Sequence, residues 1–252
     1  MKPLIVLLLL GHSVLAQVHS NAHAHNDYEH TRPLFDALLN GFGSVEADVY
    51  LVNGTLLVSH NTPGPKAKTL EQLYLRPLDS LIQANGGNVY SNFEGPFWLM
   101  IDCKTSTGTY EAIRAAVRKY PALMSKGDKG PVKIFLSGNR PLELMVKDGY
   151  SGLGIDGRPD DVGKGYDFTL MPVISDHYSN WSSWKGKSPA TENDLQKIRV
   201  LAARVHQEGK KLRLWAIPDQ EEAWKALMEV GVDMINTDHL NELNIYLLRI
   251  GK

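Results

Sequence analysis

Two carboxylates stand two residues apart in Val45-Glu46-Ala47-Asp48-Val49, and a third opens Asp102-Cys103-Lys104. In an extended segment the period of two sends Glu46 and Asp48 to one face and Val45, Ala47 and Val49 to the other. The aliphatic face suits packing under helices. Two neighbouring carboxylates suit no apolar interior, because close like charges persist only beside a cation, a shared proton or a basic side chain. By the same alternation Asp102 and Lys104 share a face. If the strand carrying Asp102 lies beside the one carrying Glu46 and Asp48, three oxygen ligands converge. Hard oxygen donors without a thiolate favour one divalent cation, Mg2+ or Ca2+, over zinc. His25 precedes the first pair and His60 follows it. Imidazoles on either flank of a cation-held group are suited to be general acid and general base.

The elements that must position these residues can be read from hydrophobic periodicity and turn chemistry. Residues 20–25 read as a first strand that ends in His25, and residues 33–39 as a helix. A second strand spans 44–52. Asn53-Gly54 is the dipeptide of a tight hairpin, so residues 55–60 should fold back over that strand and bring His60 with them. A longer excursion, 61–96, contains helical stretches near Leu70 and Leu78. Strand three is 97–104, with a helix at 110–119. Strands four to six are expected at 132–136, 152–155 and 169–174. Residues 192–208 form the clearest helix, with Leu195, Ile198, Leu201, Ala202 and Val205 at helical spacing. Strand seven (211–216), a helix (221–229), strand eight (234–236) and a closing helix (240–250) follow. Eight strand-helix units predict an α/β fold, a single (β/α)8 TIM-type barrel with a β-hairpin and helical excursion after strand two. Active residues then sit at the carboxyl ends of strands. An open doubly wound sheet would want a Gly-rich phosphate turn after strand one, and none is present.

Composition narrows the function class. The 252 residues carry a formal net charge of −1 and no polybasic run, so a nucleic-acid footprint is absent. Residues 1–16 have a basic start, a short apolar run and small residues at Val14-Leu15-Ala16, the pattern of a signal peptide. The barrel is therefore expected over residues 17–252. No later segment is long enough to be a transmembrane helix. With a single cysteine, Cys103, no intrachain disulfide can form. Export without disulfides is ordinary for a bacterial envelope protein, so a periplasmic or secreted bacterial location is expected. Cys103 should face the helix layer as a small apolar residue.

His25, Glu46-x-Asp48, His60, Asp102-x-Lys104, Trp215 and Asn236-Thr-Asp238 together resemble the phospholipase-C-like phosphodiesterase superfamily. Its members include glycerophosphodiester phosphodiesterases and the phospholipase D toxins that act on sphingomyelin. The resemblance runs from His25 to Asp238. It implies a metal held by Glu46, Asp48 and Asp102, with His25 and His60 as the acid-base pair. It also implies that Lys104 helps neutralise a phosphate and that Trp215 lines the substrate pocket, with Asn236 and Asp238 near it. The implied activity is cleavage of a glycerophosphodiester or phospholipid headgroup ester, by a route that can pass through a cyclic phosphate. Two departures stand out. The glycerophosphodiesterases follow the first histidine with Arg-Gly, whereas this chain reads His25-Asn26-Asp27-Tyr28. The toxins carry a disulfide that one cysteine cannot form.

Further residues extend the site. Ser137-Gly-Asn139-Arg140 and Asp156-Gly-Arg158 follow strands four and five, where Arg140 in particular can steer an anionic substrate. Asp176, His177, Tyr178, Trp181 and Trp184 can supply a lid or an aromatic rim. Two other readings compete. His23-Ala-His25 also ends strand one, as in zinc-dependent amidohydrolase barrels, but that arrangement leaves Glu46 and Asp102 without a task. A catalytically inactive barrel serving as a binding protein would have no reason to keep the acidic cluster.

Overall fold

The computed structural model describes residues 17–124, 130–149 and 151–252. The expected signal peptide lies outside them. Among the described residues nine strands form one sheet: β1 (His19–Ala24), β2 (Phe42–Val52), β3 (Thr55–Val58), β4 (Phe97–Cys103), β5 (Val132–Gly138), β6 (Leu153–Gly157), β7 (Val173–His177), β8 (Lys211–Trp215) and β9 (Met234–Thr237). Eight of them are parallel neighbours, and β1 pairs with both β2 and β9, which closes the barrel. The ninth, β3, is antiparallel to β2, with Val52 opposite Thr55. Asn53 and Gly54 take φ of 48° and 77°, the double positive φ that a two-residue hairpin loop requires.

The described α-helices that flank the strands are α1 (Phe35–Leu39), α2 (Arg76–Ala84), α3 (Thr109–Val117), α4 (Leu142–Asp148), α5 (Glu192–Gln207), α6 (Glu221–Glu229) and α7 (Leu240–Arg249). Helix α2 belongs to the excursion after the hairpin. It is preceded by a wider helical turn at Glu71–Leu75, so the two helical stretches expected there are present. The long helix α5 opens on a capping box, with the Thr191 backbone N–H donating to Asp194 Oδ2 at 2.8 Å.

Three differences from the sequence expectation have physical causes. Strand β7 begins at Val173 rather than 169. Asp167 Oδ1 accepts hydrogen bonds from the Thr169 hydroxyl and from the amides of Thr169 and Leu170, curling 167–170 into a turn, and Pro172 follows. Asp176 and His177 are therefore the last residues of that strand rather than its successors. Helix α4 is additional; it follows Pro141 and buries only Met145 fully, too weak an apolar stripe to announce itself. Between β6 and β7 the described residues form no α-helix, only a single turn at Pro159–Asp161.

The core has two parts. The larger fills the space between the barrel and its helices and takes in Val45, Ala47, Val49, Ile101 and Cys103. A smaller cluster of Trp98, Met100, Phe135, Val173 and Met234 plugs the barrel interior. Along each strand the period of two carries the interior face from these apolar side chains to polar ones. Met100 is followed by Asp102, Phe135 by Ser137, Val173 by Ser175 and Met234 by Asn236. The amino end of the interior is thus greasy and the carboxyl end polar, which is where a barrel of this kind places its chemistry.

Candidate functional site

The parallel register sets Asp48 directly opposite Asp102 and Glu46 opposite Met100. One carboxylate oxygen from each of Glu46, Asp48 and Asp102 lies within 4.8 Å of the other two, the one such group of His, Cys, Asp and Glu among the described residues. The convergence expected from the alternation is therefore present. Lys104 Nζ bridges two of them, 2.8 Å from Asp48 Oδ2 and 2.5 Å from Asp102 Oδ2. Burial works against the ammonium, yet these two carboxylates outweigh it and raise the Lys104 pKa. Burial likewise raises Asp48, against the pull of Lys104.

Does this group suit a divalent cation? Asp48 Oδ1 is fully buried and has no hydrogen-bond partner, a situation that costs about 1–3 kcal/mol unless something compensates it. An orphaned carboxylate oxygen beside two further carboxylates is an oxygen-donor set of the kind hard cations take. The residues fit one.

Both histidines line the pocket that Glu46 and Asp102 line. His25, just past β1, has Nδ1 2.8 Å from Asp238 Oδ1, which leaves Nε2 to exchange a proton. Burial opposes its charged form, but the Asp238 hydrogen bond and the field of Glu46 prevail and raise its pKa. His60, just past β3, has Nδ1 3.3 Å from Asp48 Oδ2. Its side chain is half exposed, and it lines the same pocket as His25. The pocket, of about 290 Å³, is completed by Asn26, Glu46, Met100, Asp102, Lys104, Ser137, Gly138, Arg158, Arg213 and Trp215.

Trp215 stands at its rim with its ring edge-on to His177, centroids 4.3 Å apart. Asn236 is buried and accepts a hydrogen bond from Arg213 Nε at 2.9 Å; it holds a pocket residue rather than lining the pocket. Asp238 meets the site through its hydrogen bond to His25. Arg140 is not brought to the pocket: its Nη1 donates to the Asp156 carbonyl at 2.6 Å and reaches Asp161 Oδ2 at 3.4 Å. The loop guanidinium that does line the pocket is Arg158.

Arg213 and Tyr28 escape sequence reasoning, and His23 enters it only as a zinc ligand in the rival reading. Arg213, 3% exposed, donates through Nη2 to Glu46 Oε2 at 2.8 Å across the barrel interior. Its signal was available, since alternation along Lys211-Leu212-Arg213-Leu214-Trp215 puts it on the face of Trp215. Tyr28 donates to Asp48 Oδ2 at 2.8 Å and lies 3.3 Å from His60 Nδ1. It sits in the stretch where the chain departs from the glycerophosphodiesterases. His23 is fully buried, with Nδ1 2.6 Å from Ser44 Oγ and Nε2 3.4 Å from Glu46 Oε2. Burial drives its pKa well down, so it is a neutral strut beneath Glu46.

Gly138 ends β5 with φ of 68°. A Cβ there would overlap Asp102 Oδ1 and lie 2.6 Å from the Cys103 carbonyl oxygen. Gly138→Ala is therefore expected to cost about 2–4 kcal/mol of stability, from a left-handed backbone plus overpacking. It should also lower turnover at least tenfold by displacing Asp102. Thermal melts and initial rates on one preparation read both effects.

A family model described as an AIM6-like phosphodiesterase domain matches residues 13–150, and one for the glycerophosphoryl diester phosphodiesterase family matches 211–241. The chain is similar to altered inheritance of mitochondria protein 6 of Kluyveromyces lactis, at 27% identity over 88% of this chain and 71% of that one. The same protein of Lachancea thermotolerans is 28% identical over 88% of this chain and 64% of its own length. Among solved structures, a glycerophosphodiester phosphodiesterase from Parabacteroides distasonis superposes with TM-score 0.59 at 18% identity, covering 94% of this chain and all of that one. That likeness speaks to the barrel fold alone. The fungal relatives overturn the expectation of a bacterial envelope protein. Lacking disulfides is a property of composition and does not identify the kind of organism.

Proposed function

The chain belongs to the AIM6-like phosphodiesterase domain family, and from that premise we propose that it cleaves a phosphodiester with His25 and His60 as its proton-transfer pair and one Mg2+ or Ca2+ at Glu46, Asp48 and Asp102. The observation that carries this reading is the carboxylate trio with its orphaned Asp48 oxygen, flanked by two imidazoles. When bound, the cation supplies charge stabilisation for a non-bridging phosphate oxygen.

The chain's own residues do the rest. Lys104 offers a second positive charge to the phosphate while holding Asp48 and Asp102 in register. Asp238 favours the protonated form of His25, so His25 donates its Nε2 proton to the leaving oxygen. His60, oriented by Asp48 and the Tyr28 hydroxyl, takes the proton of the attacking hydroxyl at its own Nε2. That hydroxyl belongs to water or to the substrate itself, the second giving a cyclic phosphate. Arg213 and His23 hold Glu46 from below, so the carboxylate does not swing during turnover. Glycerophosphodiesters and phospholipid headgroup esters are the substrate classes the site suits.

Turnover of bis-p-nitrophenyl phosphate tests the proposal. EDTA should abolish it, and Mg2+ or Ca2+ should restore it. Activity indifferent to chelation would contradict the metal assignment. Restoration by zinc alone, with cleavage of amides, would point to His23 and His25 as ligands instead. Diester binding without turnover, unchanged in Glu46→Gln, would mark a binding protein.

A further inference from the structure

We infer that the pocket contains a second anion subsite, formed by Arg158 held over buried Asp156, and that the preferred substrate is a phosphodiester whose alcohol carries a further oxyanion. This rests on the phosphodiesterase reading above and adds the chemical class of the substrate.

Asp156 on β6 is wholly buried and does not line the pocket. It receives hydrogen bonds from three consecutive strands or their ends: Ser137 Oγ on β5 at 2.8 Å, Ser175 Oγ on β7 at 2.6 Å, and Arg158 Nη1 just past β6 at 2.8 Å. Burying a carboxylate is costly and is offset here by those donors. The arrangement fixes the Arg158 guanidinium, whose Nη1 also donates to the Gly157 carbonyl at 2.9 Å. Among the described residues Nε and Nη2 of Arg158 make no hydrogen bond, and its side chain is 31% exposed. With Ser137 and Gly138 it forms one wall of the pocket. A guanidinium held through Nη1 at the wall of a cleft, with Nε and Nη2 unspent, is preorganised to receive an oxyanion.

Lys104 and Arg213 are paired with the carboxylates of the trio, whereas Arg158 is paired with Asp156, outside it. Arg158 lies just past β6, the third strand from β2 in the order β2, β4, β5, β6, away from the hairpin that carries His60. A phosphate held at the carboxylate trio therefore extends one of its two alcohols toward this wall. A quaternary ammonium there would find no unpaired carboxylate, since Glu46 and Asp102 are each bonded to a cation. Such a headgroup would have only the Trp215 ring.

The test uses three p-nitrophenyl phosphodiesters with the same leaving group, the second alcohol being 3-hydroxypropanoate, propane-1,3-diol or choline. Wild-type kcat/KM should be roughly ten- to hundredfold higher for the carboxylate ester than for the choline ester, the worth of one charge-assisted hydrogen-bond pair. Arg158→Gln should lower the carboxylate ester at least tenfold more than the diol ester, and Arg158→Lys should recover part of the difference. A wild-type preference for choline overturns the inference without any variant. So does an equal loss on all three esters in Arg158→Gln, which would assign Arg158 to the reacting phosphate. If bis-p-nitrophenyl phosphate is not turned over either, the phosphodiesterase reading itself falls and the subsite with it. Turnover of that compound alongside a choline preference removes only the subsite.

Discussion

His25→Ala and His60→Ala should each lower kcat on glycerophosphoglycerol, a diester whose alkoxide leaving group needs a proton, by roughly 10²- to 10⁴-fold, while circular dichroism and the melting transition change little. The magnitude is that of removing one positioned proton-transfer group. The small structural effect follows from location: His25 and His60 lie beyond the ends of β1 and β3, partly open to solvent, and neither supports the apolar core. The double variant should lose little more than the worse single one, because two groups acting in one proton relay are not additive. The pH profile separates their roles. His25 has its pKa raised, through Asp238 and Glu46 against burial, so its protonated form persists above the usual imidazole range. If that form is the acid, activity falls as pH rises through the raised value. Asp238→Asn removes the charge behind the shift and should move the alkaline limb to lower pH. An unchanged alkaline limb in Asp238→Asn would show that His25 is not the group titrating there.

Arg213→Met should destabilise the fold by about 3–5 kcal/mol, the largest stability effect expected of any single exchange in the pocket. The guanidinium, 3% exposed, is paired with Glu46, whose side chain is 7% exposed. Removing Arg213 strands that carboxylate with only His23 Nε2 at 3.4 Å, and charging His23 in compensation is opposed by its burial. Two controls separate this mechanism from simple loss of packing. Arg213→Met combined with Glu46→Leu should regain most of the stability, since replacing both partners leaves no buried charge unpaired. It should stay inactive. In the single variant, added Mg2+ or Ca2+ should raise the melting temperature more than in wild type, because a cation bound at Glu46 supplies the missing charge. A double variant no more stable than the single one would mean that the methionine fails to fill the space and that charge is not the issue.

Much of this site is legible in the residues themselves, and the reason is the period of two. Alternation in Val45–Val49 and in Asp102–Lys104 assigns faces without knowledge of tertiary contacts. Barrel order then places the two strands side by side. The hairpin is equally legible, because Asn53-Gly54 prescribes both turn type and register. What alternation cannot give is reach across the barrel. Arg213 extends over to Glu46 from β8, and a pattern that assigns faces says nothing of which residue on the far wall is met. Loop side chains are the other blind spot. Arg140 and Arg158 occupy similar positions after consecutive strands, yet Arg140 turns to Asp161 and the Asp156 carbonyl while Arg158 turns to the pocket. That choice is made by acceptors the fold supplies. Tyr28 is a third case. Its loop is pinned by Asp27, which accepts from the Leu34 amide at 2.6 Å and from Tyr74 Oη at 2.8 Å. Tyr74 comes from the excursion far along the chain, so the loop's path is a tertiary fact.

The account depends on three carboxylates from adjacent strands sharing one divalent ion. Anomalous diffraction from crystals soaked in Mn2+, an oxygen-seeking stand-in for Mg2+, tests that directly. The expected result is one peak about 2.0–2.6 Å from oxygens of Glu46, Asp48 and Asp102, absent in Asp102→Asn. No peak at that position, or a peak on the His23 and His25 rings, would contradict it.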